Sequence, residues 1–240
     1  KWQEIPTQGG KAIREKLKLD DRPVVLLATN VLGDSLTLGR QVFSKNMAEW
    51  IERTVTYFAQ HDEIQLVIRV HPGETLTHGT SMVDIVRAQF EDIPEHIHMI
   101  EPEEKINTYD ILDITDLGLV YTTTVGLEMA MRGIPVIVAG QTHYRDRGFT
   151  RDPETWEGYF STLNALIADL EHARLNQEQV ELAWRYAYLF FFNFPKAFPW
   201  HLLDLEEDFN NRPISFVLGE EGHQHYDETF DNLVGKPLTW

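Results

Sequence analysis

Short apolar runs alternate along the chain with longer segments in which apolar residues recur at helical spacing. The run Val24–Ala28 follows Pro23 without a polar interruption, as expected for a strand covered on both faces. Similar runs predict strands at residues 24–28, 65–70, 96–100, 117–121 and 134–139. Helical spacing predicts helices at residues 45–60, 82–90, 106–112, 125–132, 162–173 and 177–192.

Five strands, each followed by a helix after a short connection, predict a doubly wound, Rossmann-like parallel sheet of the α/β class. In such sheets the ligand lies beyond the carboxyl ends of the strands, near the point where the strand order reverses. That rule selects the loops that begin at Thr29, His71, Glu101, Thr122 and Gly140. We expect a linker or helix at residues 1–20, the Rossmann-like domain at 21–193, and an acidic, less regular extension at 194–240.

The second strand ends in a His-Pro pair at His71 and Pro72. Pro72 favours an extended conformation for His71, which presents the imidazole at the ligand-facing edge. Arg69 lies on the same side of the strand because side chains alternate. A phosphate at this edge would meet an imidazole donor and a guanidinium. The alternative is a histidine that simply packs at a strand end.

Three hydroxyls, those of Thr122, Thr123 and Thr124, stand between the fourth strand and the next helix. One of them can cap the helix, and the others can join the free backbone N–H groups in an anion site. Gly126 would let a ligand approach the first turn. Glu128 could reach the hydroxyls of a ribose or sugar, or it could be an acid that the helix dipole favours. An ordinary cap without a ligand is the simpler interpretation.

Charged residues on two further loops are candidates for ligand binding. Glu103 follows the third strand and is either a ribose ligand or a first-turn acid. Arg145 belongs, with Arg147 and Arg151, to a basic cluster beside His143. Such a cluster suits a small anion, or its arginines are solvated and pair with neighbouring acids.

The composition excludes several classes of protein. A net charge of -17 argues against a general nucleic-acid surface, and the absence of cysteine excludes disulfides and thiolate metal sites. No apolar run reaches the roughly 20 residues of a membrane span, and we expect no leader sequence. No G-x-G-x-x-G follows the first strand, which argues against a dinucleotide-dependent oxidoreductase. No pattern of metal ligands is evident, so we expect neither a metal nor another cofactor, and a cytoplasmic location.

The segments RVHPGE, PEEKIN, YTTTVGLEMAMRGIPVIVAG and HYRDRGFTRDP resemble, in order and spacing, the bacterial capsule polysaccharide biosynthesis proteins. These include transferases that use CMP-linked Kdo. The resemblance covers residues 24–159 and implies the C-terminal, donor-binding half of a GT-B glycosyltransferase. Two departures stand out: threonines replace the more usual serine, and arginines follow His143-Tyr144.

The resemblance also implies roles for the candidate residues. His71 and the three threonines would contact the phosphate of a nucleotide-activated sugar, with His71 as the catalytic acid, and Glu128 or Glu103 would contact the ribose. The other substrate-binding candidates are Arg69, Gly126, Asn30, His143 and Arg145. The implied partners are a glycan or lipid-linked acceptor and an N-terminal GT-B half; association with the inner face of a membrane is left open.

Two alternatives keep the fold and change the activity. One is polyol-phosphate transfer from a CDP-linked donor. The other is a non-catalytic domain that binds a nucleotide or acts as a scaffold in polysaccharide assembly.

Overall fold

The apolar runs form one parallel sheet in a computed structural model, which describes residues 5–35, 37–76, 79–201 and 204–235. Its strands are β1 (Val24–Ala28), β2 (Gln65–Arg69), β3 (Ile97–Ile100), β4 (Leu117–Val120) and β5 (Val136–Val138). They lie in the order β3-β2-β1-β4-β5, and every pairing is parallel. The predicted α/β, Rossmann-like sheet is confirmed. The strand order reverses between β1 and β4, which places the expected ligand edge above these two strands.

Ten α-helices are present in the described residues, with a 3₁₀ turn at Pro72–Leu76 and a π-helical turn at Leu189–Asn193. Those of the sheet region are α1 (Gly10–Leu17), α2 (Met47–Phe58), α3 (Met82–Arg87), α4 (Thr108–Leu112), α5 (Val125–Met131), α6 (Trp156–Ile167) and α7 (Gln177–Tyr188). The expected bounds of α6, 162–173, are wrong at both ends. Thr155 caps this helix by accepting a hydrogen bond from the Gly158 N–H, so the helix begins at Trp156.

Helices pack closely on the sheet through buried side chains. Trp50 and Phe58 of α2 are fully buried in the main hydrophobic cluster. The hydroxyls of Thr54 and Tyr159 lie 2.9 Å apart and join α2 to α6. Gly118 lets α5 lie close to β4, because a Cβ at that position would come within 2.4 Å of Met129 Cε. The sheet is therefore a rigid platform for the loops at its carboxyl edge.

The chain divides into two compact units, Lys1–Arg185 and Tyr186–Trp240. The first contains the whole sheet. It also contains α1, since Asp110 of α4 accepts hydrogen bonds from the N–H groups of Gln8 and Gly9 just before α1. The domain limits expected from the sequence, 1–20, 21–193 and 194–240, stay predictions.

The second unit is helical where the sequence led us to expect an irregular extension. Over residues 204–235 it forms α8 (Leu205–Asn211), α9 (Ile214–Val217) and α10 (Glu220–Val234). His223 and His225 both lie on α10, and His223 contacts Asp227 one turn further on. Among the described helices, none is long and apolar enough to cross a membrane.

Candidate functional site

A cavity of about 400 Å³ lies at the carboxyl edge of the sheet, where β1, β2 and β4 end. The loop between β3 and α4 forms one of its walls. The lining residues are Ile5, Ala28, Thr29, Arg69, His71, Pro72, Thr75, Pro102, Glu103, Glu104, Lys105, Ile106, Thr108, Thr123, Thr124 and Val125. Its position is the one that the strand reversal predicts for a ligand.

His71 lies in this cavity, held by one hydrogen bond of its main chain and one of its ring. Its main-chain N–H donates to Thr29 Oγ1 at 3.1 Å, and the Gly73 N–H donates to its Nδ1 at 3.0 Å. Because Nδ1 accepts a hydrogen bond, the proton of the neutral ring resides on Nε2, which is then a donor. Burial, and after it the charge of Arg69, lowers the pKa of His71. The neutral, Nε2-protonated ring is therefore favoured.

The turn after His71 is packed too tightly for a larger residue at position 73. A Cβ on Gly73 would lie 2.9 Å from His71 Nδ1 and 3.1 Å from Val31 Cγ2. Glu74, the next residue, is buried, and its Oε2 accepts a hydrogen bond from the Met82 N–H at 3.0 Å. Burial raises the pKa of Glu74. The H-P-G-E sequence thus builds a turn in which only the imidazole faces the cavity edge as a titratable group.

Arg69 is a buried cation in the wall of the same cavity. Its side chain is 5% exposed. Nη1 donates to the Glu101 carbonyl at 2.9 Å, and Nη2 makes a longer contact of 3.5 Å with the Ile106 carbonyl. Nε has no partner among the described residues. Burial lowers the pKa of Arg69, and the charge of Glu104 opposes that effect.

The threonine turn contributes two of its three residues to the cavity, Thr123 and Thr124. Thr124 is exposed and makes no side-chain cap to α5. Thr123 Oγ1 accepts a long hydrogen bond of 3.4 Å from the Val125 N–H. Thr122 is buried and lies outside the cavity lining, and its N–H donates to Asn30 Oδ1 at 3.2 Å. Asn30 and Thr122 thus hold the ends of β1 and β4 together.

The space beside Gly126 is occupied by a protein side chain. A Cβ on Gly126 would lie 2.3 Å from the hydroxyl oxygen of Tyr144. That hydroxyl is fully buried and donates to the Thr123 carbonyl at 2.6 Å. Gly126 is therefore required by the packing of Tyr144, and it does not line the cavity.

The two candidate glutamates lie in different surroundings. Glu103 is exposed and lines the cavity. Glu128 is half-buried on α5, outside the lining, where burial raises its pKa and a hydrogen bond from Tyr109 opposes that shift. Of the two, Glu103 is placed to contact a ligand in this cavity.

His143 and Arg145 lie outside the cavity, on the loop after β5. Arg145 is 5% exposed and donates at 2.6 Å to the carbonyls of Val138 and Pro153. It is therefore neither solvated nor part of an exposed anion site, and it ties this loop to the end of β5. The His143 ring packs edge-on against Tyr144, and burial lowers its pKa.

Several lining residues were not among the sequence candidates, notably Thr29, Thr75, Lys105 and Thr108. Thr29 is the first residue after β1, at the edge that the topology rule selects, so its position was a usable signal. Lys105 is exposed and stands beside two glutamates, a context typical of a solvated loop. In the described parts of the chain, no group of three or more His, Asp or Glu side chains could hold a metal ion. The expected independence of metals stays a prediction.

Comparison with known families and structures gives three kinds of result. Residues 5–178 match the family described as capsule polysaccharide biosynthesis protein. Among curated proteins there is no match. Similar solved structures include the KpsC β-Kdo 2,4 transferase of Thermosulfurimonas dismutans, at 20% identity and a TM-score of 0.43 over 68% of this chain and 43% of that one.

Two further similar structures belong to other activities. Sucrose-phosphate synthase from Thermosynechococcus elongatus is 17% identical, with a TM-score of 0.49 over 76% of this chain and 48% of that chain. The UDP-GlcNAc 2-epimerase from Neisseria meningitidis, bound to UDP-GlcNAc, is 15% identical, with a TM-score of 0.45 over 72% and 42%. The chain thus spans less than half the length of each of these structures.

Proposed function

The chain belongs to the capsule polysaccharide biosynthesis protein family, and from this premise we propose that its cavity binds the phosphate of a nucleotide-activated sugar. The sugar would then be transferred to a polysaccharide acceptor. In this proposal the chain is the donor-binding half of a GT-B glycosyltransferase, and a CMP-linked sugar is the first donor to test.

The observation that carries the proposal is the pairing of His71 and Arg69 in one cavity. His71, whose neutral ring carries an Nε2 proton, and the buried Arg69, whose Nε has no hydrogen-bond partner among the described residues, line the same space. The exposed hydroxyl of Thr124 adds a neutral donor. A cavity of about 400 Å³ lies within the usual range of 300–1,000 Å³ for small-molecule sites. These groups suit a phosphate better than an uncharged ligand.

The chemical step follows from where charge develops. The acceptor's hydroxyl oxygen attacks the anomeric carbon, and the bond from that carbon to the phosphate oxygen breaks. Its electron pair passes to the nucleotide's phosphate, where donors already in position stabilise the new negative charge. The neutral ring of His71 can donate a hydrogen bond from Nε2 to that oxygen and so stabilise its charge. To act as a general acid, the ring would first have to take up a second proton, because loss of the only proton from the neutral ring would leave an imidazolate.

The remaining parts of the reaction are assigned to a second half. The base that takes the acceptor's proton, and most of the acceptor site, would come from an N-terminal GT-B domain. This assignment accords with a chain that spans less than half the length of the similar solved structures. The phosphate's charge is met here by Arg69 and His71, so the proposal needs no metal.

A thermal-shift panel tests the proposal. Ligands that bind the native state raise the unfolding free energy by RT ln(1 + [L]/Kd), about 2.7 kcal/mol at one hundred times Kd. We expect CMP, CDP, UDP or GDP to raise the melting temperature, with one base preferred, and the matching nucleosides to have a smaller effect. If no nucleotide stabilises the protein more than its nucleoside does, the proposal is wrong.

A further inference from the structure

We propose that Arg69 is a positioning residue, which fixes the loop Glu101–Ile106 as a wall of the cavity and tightens that loop when an anion binds. The second part rests on the proposed function, because it requires an anion in the cavity. The first part concerns the free protein and can be tested without a ligand.

The guanidinium reaches both ends of this loop. Arg69 stands in register with Ile100 on the neighbouring strand β3, so its side chain leaves the sheet next to the start of the loop. Nη1 bonds the Glu101 carbonyl at 2.9 Å and Nη2 contacts the Ile106 carbonyl at 3.5 Å. A planar fork can span two carbonyls in this way, whereas a lysine ammonium concentrates its donors at one point.

The loop's own hydrogen bonds are local. Glu104 Oε1 accepts from the Glu101 N–H at 2.9 Å, and the Glu104 N–H donates back to the Glu101 carbonyl at 3.1 Å. The Ile106 N–H donates to the Glu104 carbonyl at 2.9 Å. These bonds shape the turn, and the Arg69 bonds tie it to the sheet.

The same loop carries charged side chains into the cavity wall, those of Glu103, Glu104 and Lys105. Their placement depends on where the ends of the loop are held. Arg69 therefore sets the position of groups that would contact the sugar or ribose of the ligand, without having to touch that part of the ligand itself.

The Nε of Arg69, which is buried and has no hydrogen-bond partner among the described residues, links the loop to the anion in this proposal. A buried charged donor without a partner is costly, and an anion that accepts from it removes that cost. A bound anion would also restrict rotation of the guanidinium, whose Nη1 and Nη2 contact the Glu101 and Ile106 carbonyls. We therefore expect anion binding to reduce the local opening of residues 101–106.

Hydrogen exchange of the loop amides, followed by mass spectrometry, tests both parts. The variants are Arg69→Lys and Arg69→Met, and the probe is inorganic pyrophosphate. The matched control is Arg87→Met, because Arg87 pairs with the Glu101 carboxylate on the outer side of the same loop. Exchange at the amides of β1 and β4 reports whether each variant is folded.

For the free protein, we expect exchange at residues 101–106 to be roughly tenfold faster in Arg69→Lys and Arg69→Met, on the scale of one charge-assisted hydrogen bond. The Arg87→Met control should change it much less. Pyrophosphate should slow exchange in the wild type and leave the Arg69→Met loop unchanged.

If the amides of residues 101–106 exchange at the wild-type rate in both folded Arg69 variants, the positioning role is wrong. An equal effect of Arg87→Met would also overturn it, since any loss of a loop contact would then suffice. If pyrophosphate leaves the wild-type loop unchanged, the coupling to the anion is wrong. Failure of the proposed function is seen separately, as the absence of stabilisation by every nucleotide, and it does not alter the exchange of the free loop.

Discussion

The imidazole of His71 is held by groups that leave one nitrogen for a ligand. The Gly73 N–H donates a hydrogen bond to Nδ1 at 3.0 Å. A side chain at position 73 would collide with the ring, because its Cβ would lie 2.9 Å from Nδ1. The neutral ring therefore carries its proton on Nε2, which can donate a hydrogen bond to a ligand. At the scale of single residues, the proposed site depends on this glycine as much as on the histidine.

Gly73→Ala should displace the imidazole, because a Cβ at position 73 would lie 2.9 Å from Nδ1. We expect a weaker affinity for nucleoside diphosphates and little change for the corresponding nucleosides. Isothermal titration calorimetry with both ligands measures the difference. Unchanged affinity for the diphosphate would show that the ring orientation does not matter for binding.

The lowered pKa of His71 predicts a dependence of stability on pH. Burial and Arg69 disfavour the charged ring in the folded state, whereas the ring in the unfolded chain titrates near 6.5. Between the two values the unfolded chain binds more protons, so the free energy of unfolding decreases as the pH falls below about 6.5. Above that pH, the full contribution is present.

His71→Gln removes this titration while keeping a polar side chain of similar reach. The loss of unfolding free energy between pH 7.5 and 5.5, measured with urea, should be smaller in this variant than in the wild type. His98 and His143 also have lowered pKa values, but they are unchanged in both proteins and cancel in the comparison. Parallel pH profiles would contradict the assigned environment of His71.

At the scale of elements, the threonine turn and α5 depend on the loop that follows β5. Tyr144 is on that loop, and its hydroxyl donates to the Thr123 carbonyl at 2.6 Å beside Gly126. Arg145 then ties the same loop to β5 through the Val138 carbonyl. Tyr144 and Arg145 therefore support the threonine turn and the end of β5, although they do not line the cavity.

Gly126→Ala should destabilise the protein through overpacking against Tyr144, by about 1–3 kcal/mol. Tyr144→Phe removes the hydroxyl and should cost about 1 kcal/mol, the usual net value of one hydrogen bond. In the double variant the losses should be smaller than the sum, since removal of the hydroxyl removes the closest contact of the added methyl group, at 2.3 Å, although Val120 Cγ2 stays at 2.9 Å. Urea unfolding of the four proteins measures this coupling, and strictly additive losses would contradict the contact.

The sheet was predictable from the sequence because its strands are buried on both faces and read as continuous apolar runs. The selection of loops at its carboxyl edge followed from that topology and included Thr29 and His71. The roles of Gly126 and Arg145 were not predictable, because their partners, Tyr144 and the carbonyls of Val138 and Pro153, become neighbours only in the folded chain. The helices of residues 204–235 were missed because that segment is strongly acidic and only weakly patterned.

At the scale of the whole molecule, a buried arginine lines the cavity of an acidic protein. The net charge is -17, yet Arg69 is buried in the cavity wall beside a neutral His71. Short-range hydrogen bonds must therefore hold a phosphate against the long-range repulsion of the protein, which salt screens over about 10 Å at 0.1 M. Affinities should be compared at one fixed ionic strength.

The most direct test of the phosphate site compares His71→Ala, Thr124→Val and Thr122→Val by isothermal titration calorimetry. His71 and Thr124 line the cavity, whereas Thr122 belongs to the same turn and does not, so Thr122→Val is the matched control. The preferred nucleoside diphosphate and its nucleoside are the two ligands. We predict that His71→Ala and Thr124→Val weaken diphosphate binding, His71→Ala by roughly tenfold or more, as for the loss of one hydrogen bond to a charged group. Nucleoside binding and the Thr122→Val control should change little. Equal losses for both ligands, or wild-type affinity for the diphosphate in His71→Ala, would contradict the account.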